Sequence, residues 1–146
     1  LAPSRQAHRA RRYPMMRYPW DRTEAALRAM ADHGDGAMPE LDYVNPETGA
    51  DVLPTMGFTA MMLAAGMTTT PPRRSCSSAF HVVRGRGRTT IDGQTVEWGP
   101  KDTFSAPVFA SLSHEADEEA FLVRIHDRPC RRSLAITKSA NECGFV

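Results

Sequence analysis

Residues 80–98 decide the fold, and they read Phe-His-Val-Val-Arg-Gly-Arg-Gly-Arg-Thr-Thr-Ile-Asp-Gly-Gln-Thr-Val-Glu-Trp. Three short segments suited to β-strands are separated here by glycine-containing connections. The pair Asp92-Gly93 is a strong two-residue signal for a β-hairpin turn. Gly85 and Gly87 interrupt the chain one segment earlier. The stretch therefore predicts antiparallel strands joined by tight turns.

The same pattern of short strands continues on both sides of this stretch. The predicted strands are Met56–Leu63, Phe80–Val83, Arg88–Ile91, Thr95–Trp98, Thr103–Pro107 and Ala120–His126. Helices do not alternate with them, which favours an antiparallel sandwich or barrel. Upstream, residues 21–33 are predicted to form one short helix. Asp21 is its predicted N-cap, Glu24 completes a capping box, and Gly34 is the predicted left-handed stop.

The predicted organisation has three parts. Residues 1–42 form an N-terminal arm or linker that contains the helix, residues 43–130 form an all-β barrel, and residues 131–146 form a C-terminal tail. The arginines of the arm are interpreted as solvated charge, with phosphate or carboxylate binding as the alternative. The chain begins at Leu1 rather than methionine, so we expect a processed or truncated product, or part of a longer protein.

Composition excludes several classes of function. The chain has 146 residues, of which 41% are hydrophobic and 24% charged, as in ordinary soluble domains. Its formal net charge of +1 provides no overall field that favours nucleic acid or a membrane surface. The three cysteines lack a Cys-x-x-Cys spacing, which argues against a disulfide framework or a zinc knuckle and favours a reducing cytoplasm. The longest apolar stretch, residues 56–67, is too short to span a bilayer.

Taken together, these segments resemble the cupin superfamily, whose fold is a jelly roll or double-stranded β-helix. More narrowly, they resemble the C-terminal cupin half of gentisate 1,2-dioxygenase and its salicylate and 1-hydroxy-2-naphthoate dioxygenase relatives. The residues that carry the resemblance are Tyr43-Val-Asn-Pro-Glu-Thr-Gly49, Leu53-Pro-Thr55, Phe80-His-Val-Val-Arg-Gly85, Gly87-Arg-Thr89, Ile91-Asp-Gly93, Glu97-Trp98, Asp102-Thr-Phe104, Pro107 and Asp127-Arg-Pro129. Arg17-Tyr-Pro-Trp20 and its helix resemble the linker between the two halves. Lys101 departs from the pattern, because the family usually has a glycine before the aspartate.

The resemblance implies an Fe(II)-dependent parent enzyme whose iron lies in an N-terminal cupin, where three histidines hold it for ring cleavage by molecular oxygen. This chain lacks a segment that matches that half. The usual cupin ligand pattern maps its first two histidines onto Pro72 and Arg74, its glutamate onto or near Ser78, and its last histidine onto Leu112. These side chains are not ordinary ligands for ferrous iron, and Arg74 adds a permanent positive charge. We therefore expect a degenerate metal position and no cofactor in this chain.

Histidines are the remaining chemical candidates. His114 lies two residues beyond Leu112, so strand alternation places both on one face. If that face is the barrel interior, His114 is either a hydrogen-bonded core residue or a ligand-binding residue together with Arg74. The same alternation places His81 outside, and His126 is expected to orient the chain as it leaves the last strand. A metal site built from these three histidines would need side chains from opposite faces, which argues against it.

Three hypotheses follow. The first is a metal-free structural cupin, the C-terminal domain of a gentisate-type dioxygenase, which packs against the catalytic half and supports a homo-oligomer without being catalytic itself. The second is a stand-alone cupin that binds a small aromatic carboxylate through Arg74 and His114. The third is a metal-dependent cupin with relocated ligands. No nucleic-acid or membrane partner is expected, and the expected location is the cytoplasm.

Overall fold

The computed structural model describes residues 17–34 and 36–133. In order, its elements are α1 (Trp20–His33), β1 (Glu40–Asp42), β2 (Gly57–Leu63), β3 (Thr68–Thr69), β4 (Ser78–Arg84), β5 (Gly87–Ile91), β6 (Gln94–Trp98), β7 (Thr103–Ala106), β8 (Leu112–Ala116), β9 (Ala120–His126) and α2 (Arg128–Ser133). The start of the predicted arm and residues 134–146 of the predicted tail lie outside the described residues. Neither helix of the described part is long and apolar enough to cross a membrane.

The strands form two antiparallel sheets, as the sequence predicts. The five-stranded sheet has the order β1-β2-β9-β4-β7, and the four-stranded sheet has the order β3-β8-β5-β6. All the strand pairings within them are antiparallel. Strands adjacent in a sheet are often distant in sequence, for example β2 and β9, which is how a jelly roll differs from a simple meander.

The predicted hairpin joins β5 to β6. Ile91 pairs with Gln94, and the two residues between them have positive φ angles of 48° at Asp92 and 86° at Gly93. This backbone twist matches the right-handed twist of the flanking strands, which explains why the Asp-Gly pair is such a strong signal.

Three strands were not among those predicted, namely β1, β3 and β8. Strand β1 contains only three residues and strand β3 only two. The sequence of β8 is Leu-Ser-His-Glu-Ala, which contains no β-branched residue, so strand propensity does not reveal it. The five-stranded sheet consequently begins at Glu40, three residues before the predicted start of the barrel.

The main core lies between the two sheets. Its buried members are Met61, Leu63, Phe80, Val82, Trp98, Ala106, Ala110, Ala116, Ala120 and Leu122. Along β4, buried side chains alternate with half-buried ones as strand geometry requires. His81 lies on the outward face, where its Nδ1 is 3.0 Å from the Thr103 hydroxyl, as the alternation predicts.

A second cluster attaches helix α1 to the outside of the five-stranded sheet. Leu27 is completely buried against Ala60, Met62 and Phe121. The Trp20 ring meets the Phe121 ring edge-on, with 5.8 Å between centroids. Aromatic pairs favour this geometry because the ring edge is positive and the ring face negative. The helix is therefore anchored to the barrel by one apolar stripe.

The predicted helix caps are wrong. The helix begins at Trp20, and its N-cap is Pro19, which makes no side-chain cap bond. The Glu24 carboxylate instead accepts hydrogen bonds from the Trp20 indole at 3.1 Å and from the Arg84 guanidinium at 2.8 Å, so it is not available for a capping box. Gly34 has φ −84° and ψ 169°, an extended conformation rather than a left-handed stop.

Lys101, which stands where the family usually has glycine, lies in a tight turn formed by residues 99–102. The Asp102 amide donates to the Gly99 carbonyl at 3.1 Å, Pro100 occupies the second position, and Lys101 in the third has a φ of 75°. A type II turn requires positive φ at this third position, which glycine adopts most easily. The lysine therefore adopts a backbone conformation that suits the family's glycine better.

Candidate functional site

A small chamber lies inside the barrel, and we call it the interior chamber. Its cavity volume is about 10 Å³, which is room for roughly one water-sized species. It is lined by Glu40, Met61, Pro71, Arg74, Cys76, Ser78, Phe80, Ala106, Pro107, Ala110, Leu112, His114 and Arg124. Both sheets contribute, since Phe80 and Arg124 belong to one and Leu112 and His114 to the other.

Most of the mapped metal positions converge on this chamber. Arg74, Ser78 and Leu112 line it, whereas Pro72 is exposed and Pro71 contributes to the lining. The structure thus brings together the two residues singled out for ligand binding, Arg74 and His114, in one chamber.

The donor set of the chamber does not fit ferrous iron. Leu112 has no donor atom, and the guanidinium groups of Arg74 and Arg124 are permanently protonated and offer no lone pair to a cation. Across residues 17–34 and 36–133, no three His, Cys, Asp or Glu side chains form a group that could hold a metal ion. The histidines are also dispersed, because His81 faces outward while His114 lies in the core.

His114 is fully buried and takes part in a chain of hydrogen bonds. The Trp98 indole N–H donates to the Thr89 hydroxyl at 2.9 Å, and that hydroxyl is 2.9 Å from His114 Nδ1. The Thr89 oxygen has a second lone pair, so the hydroxyl can either donate its proton to Nδ1 or accept a proton from it. His114 Nε2 has no hydrogen-bond partner within the described protein.

Burial lowers the pKa of His114 to about 4, and the positive charges of Arg124 and Arg74 act in the same direction. The imidazole is therefore neutral near pH 7. Because Nδ1 is engaged by Thr89, Nε2 is the ring nitrogen that is left without a partner in the described protein.

Arg124 is the main residue of the site that sequence reasoning missed. Its side chain is only 4% exposed, and its Nη2 donates to the Thr59 hydroxyl at 3.0 Å. Burial lowers its pKa, an effect that the Glu40 carboxylate opposes. The available signal was a charged residue inside the apolar strand Ala-Phe-Leu-Val-Arg-Ile-His, on the same alternation face as Leu122.

Glu40 is the carboxylate in the lining formed by residues 17–34 and 36–133. Its Oε2 lies 3.4 Å from Arg74 Nη2 and 3.7 Å from Arg124 Nη2, so one carboxylate faces two guanidinium groups. The Glu40 and Arg74 side chains are 27% and 14% exposed, which places them toward solvent, with Arg124 deeper. The Arg124 Nε has no hydrogen-bond partner within the described protein.

His126 lies behind Arg124 rather than in the chamber. Its Nε2 is 3.4 Å from the Thr59 hydroxyl, and burial lowers its pKa to about 4, with Arg124 and Arg128 contributing. A Cβ atom added to Gly57 would overlap the His126 ring, so the glycine is needed for the close approach of β2 and β9 at this pair. His126 is therefore a packed and neutral histidine.

Comparison with known proteins relates this architecture to dioxygenases. No family model matches the chain. A gentisate 1,2-dioxygenase from Ralstonia sp. is 36% identical over 130 residues, which cover 86% of this chain and 37% of that protein. A crystal structure of salicylate 1,2-dioxygenase from Pseudoaminobacter salicylatoxidans superposes with a TM-score of 0.75 at 30% identity, covering 83% of this chain and 35% of the other. The chain is a cupin related to gentisate 1,2-dioxygenases.

A further relative agrees with this relationship. A 5-aminosalicylate 1,2-dioxygenase from Comamonas sp. is 36% identical over 129 residues, covering 85% of this cupin and 34% of that protein. The resemblance read from the sequence motifs is thereby confirmed, and so is the jelly-roll fold. The cupin spans about a third of the length of the curated relatives that it matches.

Proposed function

We propose that this cupin is the C-terminal domain of a gentisate 1,2-dioxygenase-like, ring-cleaving dioxygenase. In this proposal it is metal-free and structural, packs against an iron-bearing catalytic cupin half, and supports a homo-oligomer in the cytoplasm. One observation carries the proposal: Arg74 and Leu112, which occupy two positions of the cupin ligand pattern, line the interior chamber together with the buried guanidinium of Arg124. Two fixed positive charges beside the chamber disfavour a ferrous ion electrostatically.

The size of the chamber supports the same conclusion. An iron centre that cleaves an aromatic ring needs open positions for both substrate and oxygen. A volume of about 10 Å³ accommodates neither beside a metal. The salt bridges from Glu40 to Arg74 and Arg124 also occupy the carboxylate on the chamber wall.

An apolar groove on the outside of the barrel supports packing against another domain. It is lined by Tyr18, Tyr43, Val52, Leu53 and Phe58 and has a volume of about 280 Å³. Tyr18 belongs to the segment that resembles the linker between cupin halves. The matched segment is only 37% of the length of the gentisate 1,2-dioxygenase from Ralstonia sp., so a domain of the remaining polypeptide is the occupant that we assign to the groove.

The proposal is tested by expressing the 146-residue chain without a histidine tag, loading it anaerobically with ferrous iron, and assaying iron content and gentisate turnover. We expect neither bound iron nor ring cleavage. Stoichiometric iron that is lost in His114→Ala and retained in the outer-face control His81→Ala would place a working metal site in the chamber and refute the metal-free role.

A second candidate is the stand-alone binder of a small aromatic carboxylate. The convergence of Arg74 and His114 on one chamber favours it. The volume opposes it, because pockets for small organic ligands usually measure about 300–1,000 Å³ and the chamber measures about 10 Å³. Calorimetry with gentisate, salicylate and benzoate separates the two candidates. Heat that disappears in Arg74→Gln would favour the binder, and we expect none.

A further inference from the structure

The four-stranded sheet ends at β6, whose second side has no neighbouring strand in the part of the chain that the structure describes. Residues 94–97 of this strand are all exposed, and Val96, a large apolar residue, is 38% exposed. The unpaired side of an edge strand presents N–H and C=O groups that can pair with a strand of another chain. We call this side of β6 the open edge.

The other edge strands of the two described sheets are poorly suited to such pairing. Strand β1 has three residues and follows Pro39, β3 has two residues, and β7 has four residues and is followed directly by Pro107. Natural sheets protect their edges with short strands, prolines, charges and bulges. Strand β6 has five residues with no proline and one charged residue, and its register with β5 is continuous. It is therefore the edge best suited to adding a further strand.

The hairpin turn determines which backbone groups of β6 point to the open edge. Residues 92–93 both have positive φ angles, as in a type I′ turn. Ile91 and Gln94 close this two-residue turn, so they exchange both of their backbone hydrogen bonds. Counted from Gln94, every second residue of β6 bonds to β5 in the same way. The N–H and C=O groups of Thr95 and Glu97 therefore point to the open edge.

These two residues match each other across a twofold axis through Val96. If β6 of a second copy lies antiparallel along the open edge, Thr95 of each copy faces Glu97 of the other. Each of these pairs can exchange two backbone hydrogen bonds, because both residues point to the open edge. Val96 then faces Val96 of the second copy as a non-hydrogen-bonded pair, the kind in which side chains lie closest. The edge is thus complementary to itself.

Other twofold registers do not satisfy these groups. An axis through Glu97 would place two carboxylates directly opposite each other, which is unfavourable. It would also pair Thr95 with Gly99, whose N–H already donates to the Asp102 carboxylate at 2.8 Å. An axis through Thr95 would place Glu97 opposite the turn residue Gly93, which is not in strand conformation. Hydrogen bonding and charge therefore favour the register centred on Val96.

We propose that two copies of this cupin associate through β6, paired antiparallel about a twofold axis at Val96. The two four-stranded sheets then form one continuous sheet across the dimer. Because the same surface is used in both copies, the association is closed and does not extend into a filament. This inference gives the homo-oligomer of the proposed function a defined interface. It rests on that part of the proposed function and not on the metal-free role.

Engineered cysteines test the register directly. The Cα atoms of a non-hydrogen-bonded antiparallel pair lie about 4.5 Å apart, within the range of about 4.4–6.8 Å that a disulfide bridges. Val96→Cys should therefore give a disulfide-linked dimer under mild oxidation, which a non-reducing gel detects. The matched control is Thr95→Cys, whose two cysteines would lie roughly 7–8 Å apart and should cross-link at least about tenfold more slowly.

Both variants are made in a chain that also carries Cys130→Ser and Cys143→Ser, because Cys76 is buried whereas Cys130 is partly exposed. Equal rates of cross-linking in the two variants, or no cross-linking in either, would overturn the proposed register.

Sedimentation equilibrium of the 146-residue chain provides an independent readout, in which we expect a reversible dimer. Thr95→Pro removes an N–H group of the open edge and leaves the hydrogen bonds to β5 in place. The dimer then loses half of its backbone hydrogen bonds, so its dissociation constant should rise by at least about tenfold. The matched control Thr95→Val retains the N–H group and should associate like the unmodified chain.

The outcomes separate this inference from the proposed function. A dimer that Thr95→Pro leaves unchanged would overturn β6 as the interface but not the homo-oligomer. A chain that stays monomeric at every concentration would contradict both. Neither result bears on the metal-free role, which the iron and gentisate assays test separately.

Discussion

Replacing Thr89 by valine tests the internal hydrogen-bond chain at its central residue. Valine has nearly the shape of threonine, so the change removes the hydroxyl without opening a cavity. The hydroxyl serves two buried partners, the Trp98 indole N–H and His114 Nδ1, each at 2.9 Å. Thr89 itself is completely buried, so water cannot replace the lost oxygen.

The expected magnitude follows from the two partners that lose their hydrogen bonds. A buried polar group left unpaired costs about 1–3 kcal/mol, so the loss of both predicts a decrease of about 2–6 kcal/mol in the free energy of unfolding. Domains are stable by about 5–15 kcal/mol in total, which makes this a large fraction. At about 3 °C per kcal/mol for a domain of this size, the melting temperature should fall by roughly 6–18 °C.

The neighbouring residue provides the matched control. Thr90 lies on the opposite face of β5, and its hydroxyl meets that of Thr95 at 3.0 Å near the surface. Thr90→Val should change the free energy of unfolding by no more than about 0.5 kcal/mol. Urea unfolding followed by tryptophan fluorescence measures both variants, and Thr89→Ser should recover part of the loss. If Thr89→Val and Thr90→Val are equally stable, the proposed role of the buried chain is wrong.

Three further predictions concern acid stability, backbone strain and association. The pKa values of His114 and His126 are lowered to about 4, so between pH 6.5 and 4 the unfolded chain binds protons that the folded chain does not. As the pH is lowered through this range, the free energy of unfolding should decrease by up to about 1.4 kcal/mol per pH unit for each histidine. A urea midpoint that does not change between pH 6.5 and 4 would contradict this. Lys101→Gly should raise the free energy of unfolding by about 0.5–1 kcal/mol because it relieves the positive φ, whereas Lys101→Ala should not; an equal gain in both would point to charge instead. Leu53→Asp in the apolar groove should leave the fold intact but loosen the packing of this domain against the remaining polypeptide, so limited proteolysis should cleave the parent protein between its domains faster; an unchanged cleavage rate would rule this groove out as the domain interface.

Particular residues show how much of the fold and of the site can be predicted from the sequence. The Asp92-Gly93 turn is predictable because its geometry depends on two adjacent residues alone. The shared face of Leu112 and His114 is predictable because strand alternation depends only on spacing. Strand β8, which contains both residues, is not apparent from the β-strand propensity of its sequence. It forms because it pairs with β3 and β5, and these pairings are known only from the folded structure.

The helix ends show where local rules fail. Glu24 satisfies the spacing of a capping box, yet its carboxylate is engaged by Arg84, which lies 60 residues away in sequence. A local preference worth about 1 kcal/mol yields when a charged partner from another element is within hydrogen-bond distance. Such a partner is not apparent before the chain is folded.

The sequence by itself determined six of the nine strands of the described residues, the hairpin, the resemblance to cupin dioxygenases and the mapping of Arg74 and Leu112 onto the cupin ligand pattern. Only the tertiary structure decided that Arg124 and Glu40 join Arg74 and His114, and that the space between them is about 10 Å³. The physical reason is that alternation and turn chemistry act between residues close in sequence. A chamber's charge and volume instead depend on how side chains from several strands, distant along the chain, pack together.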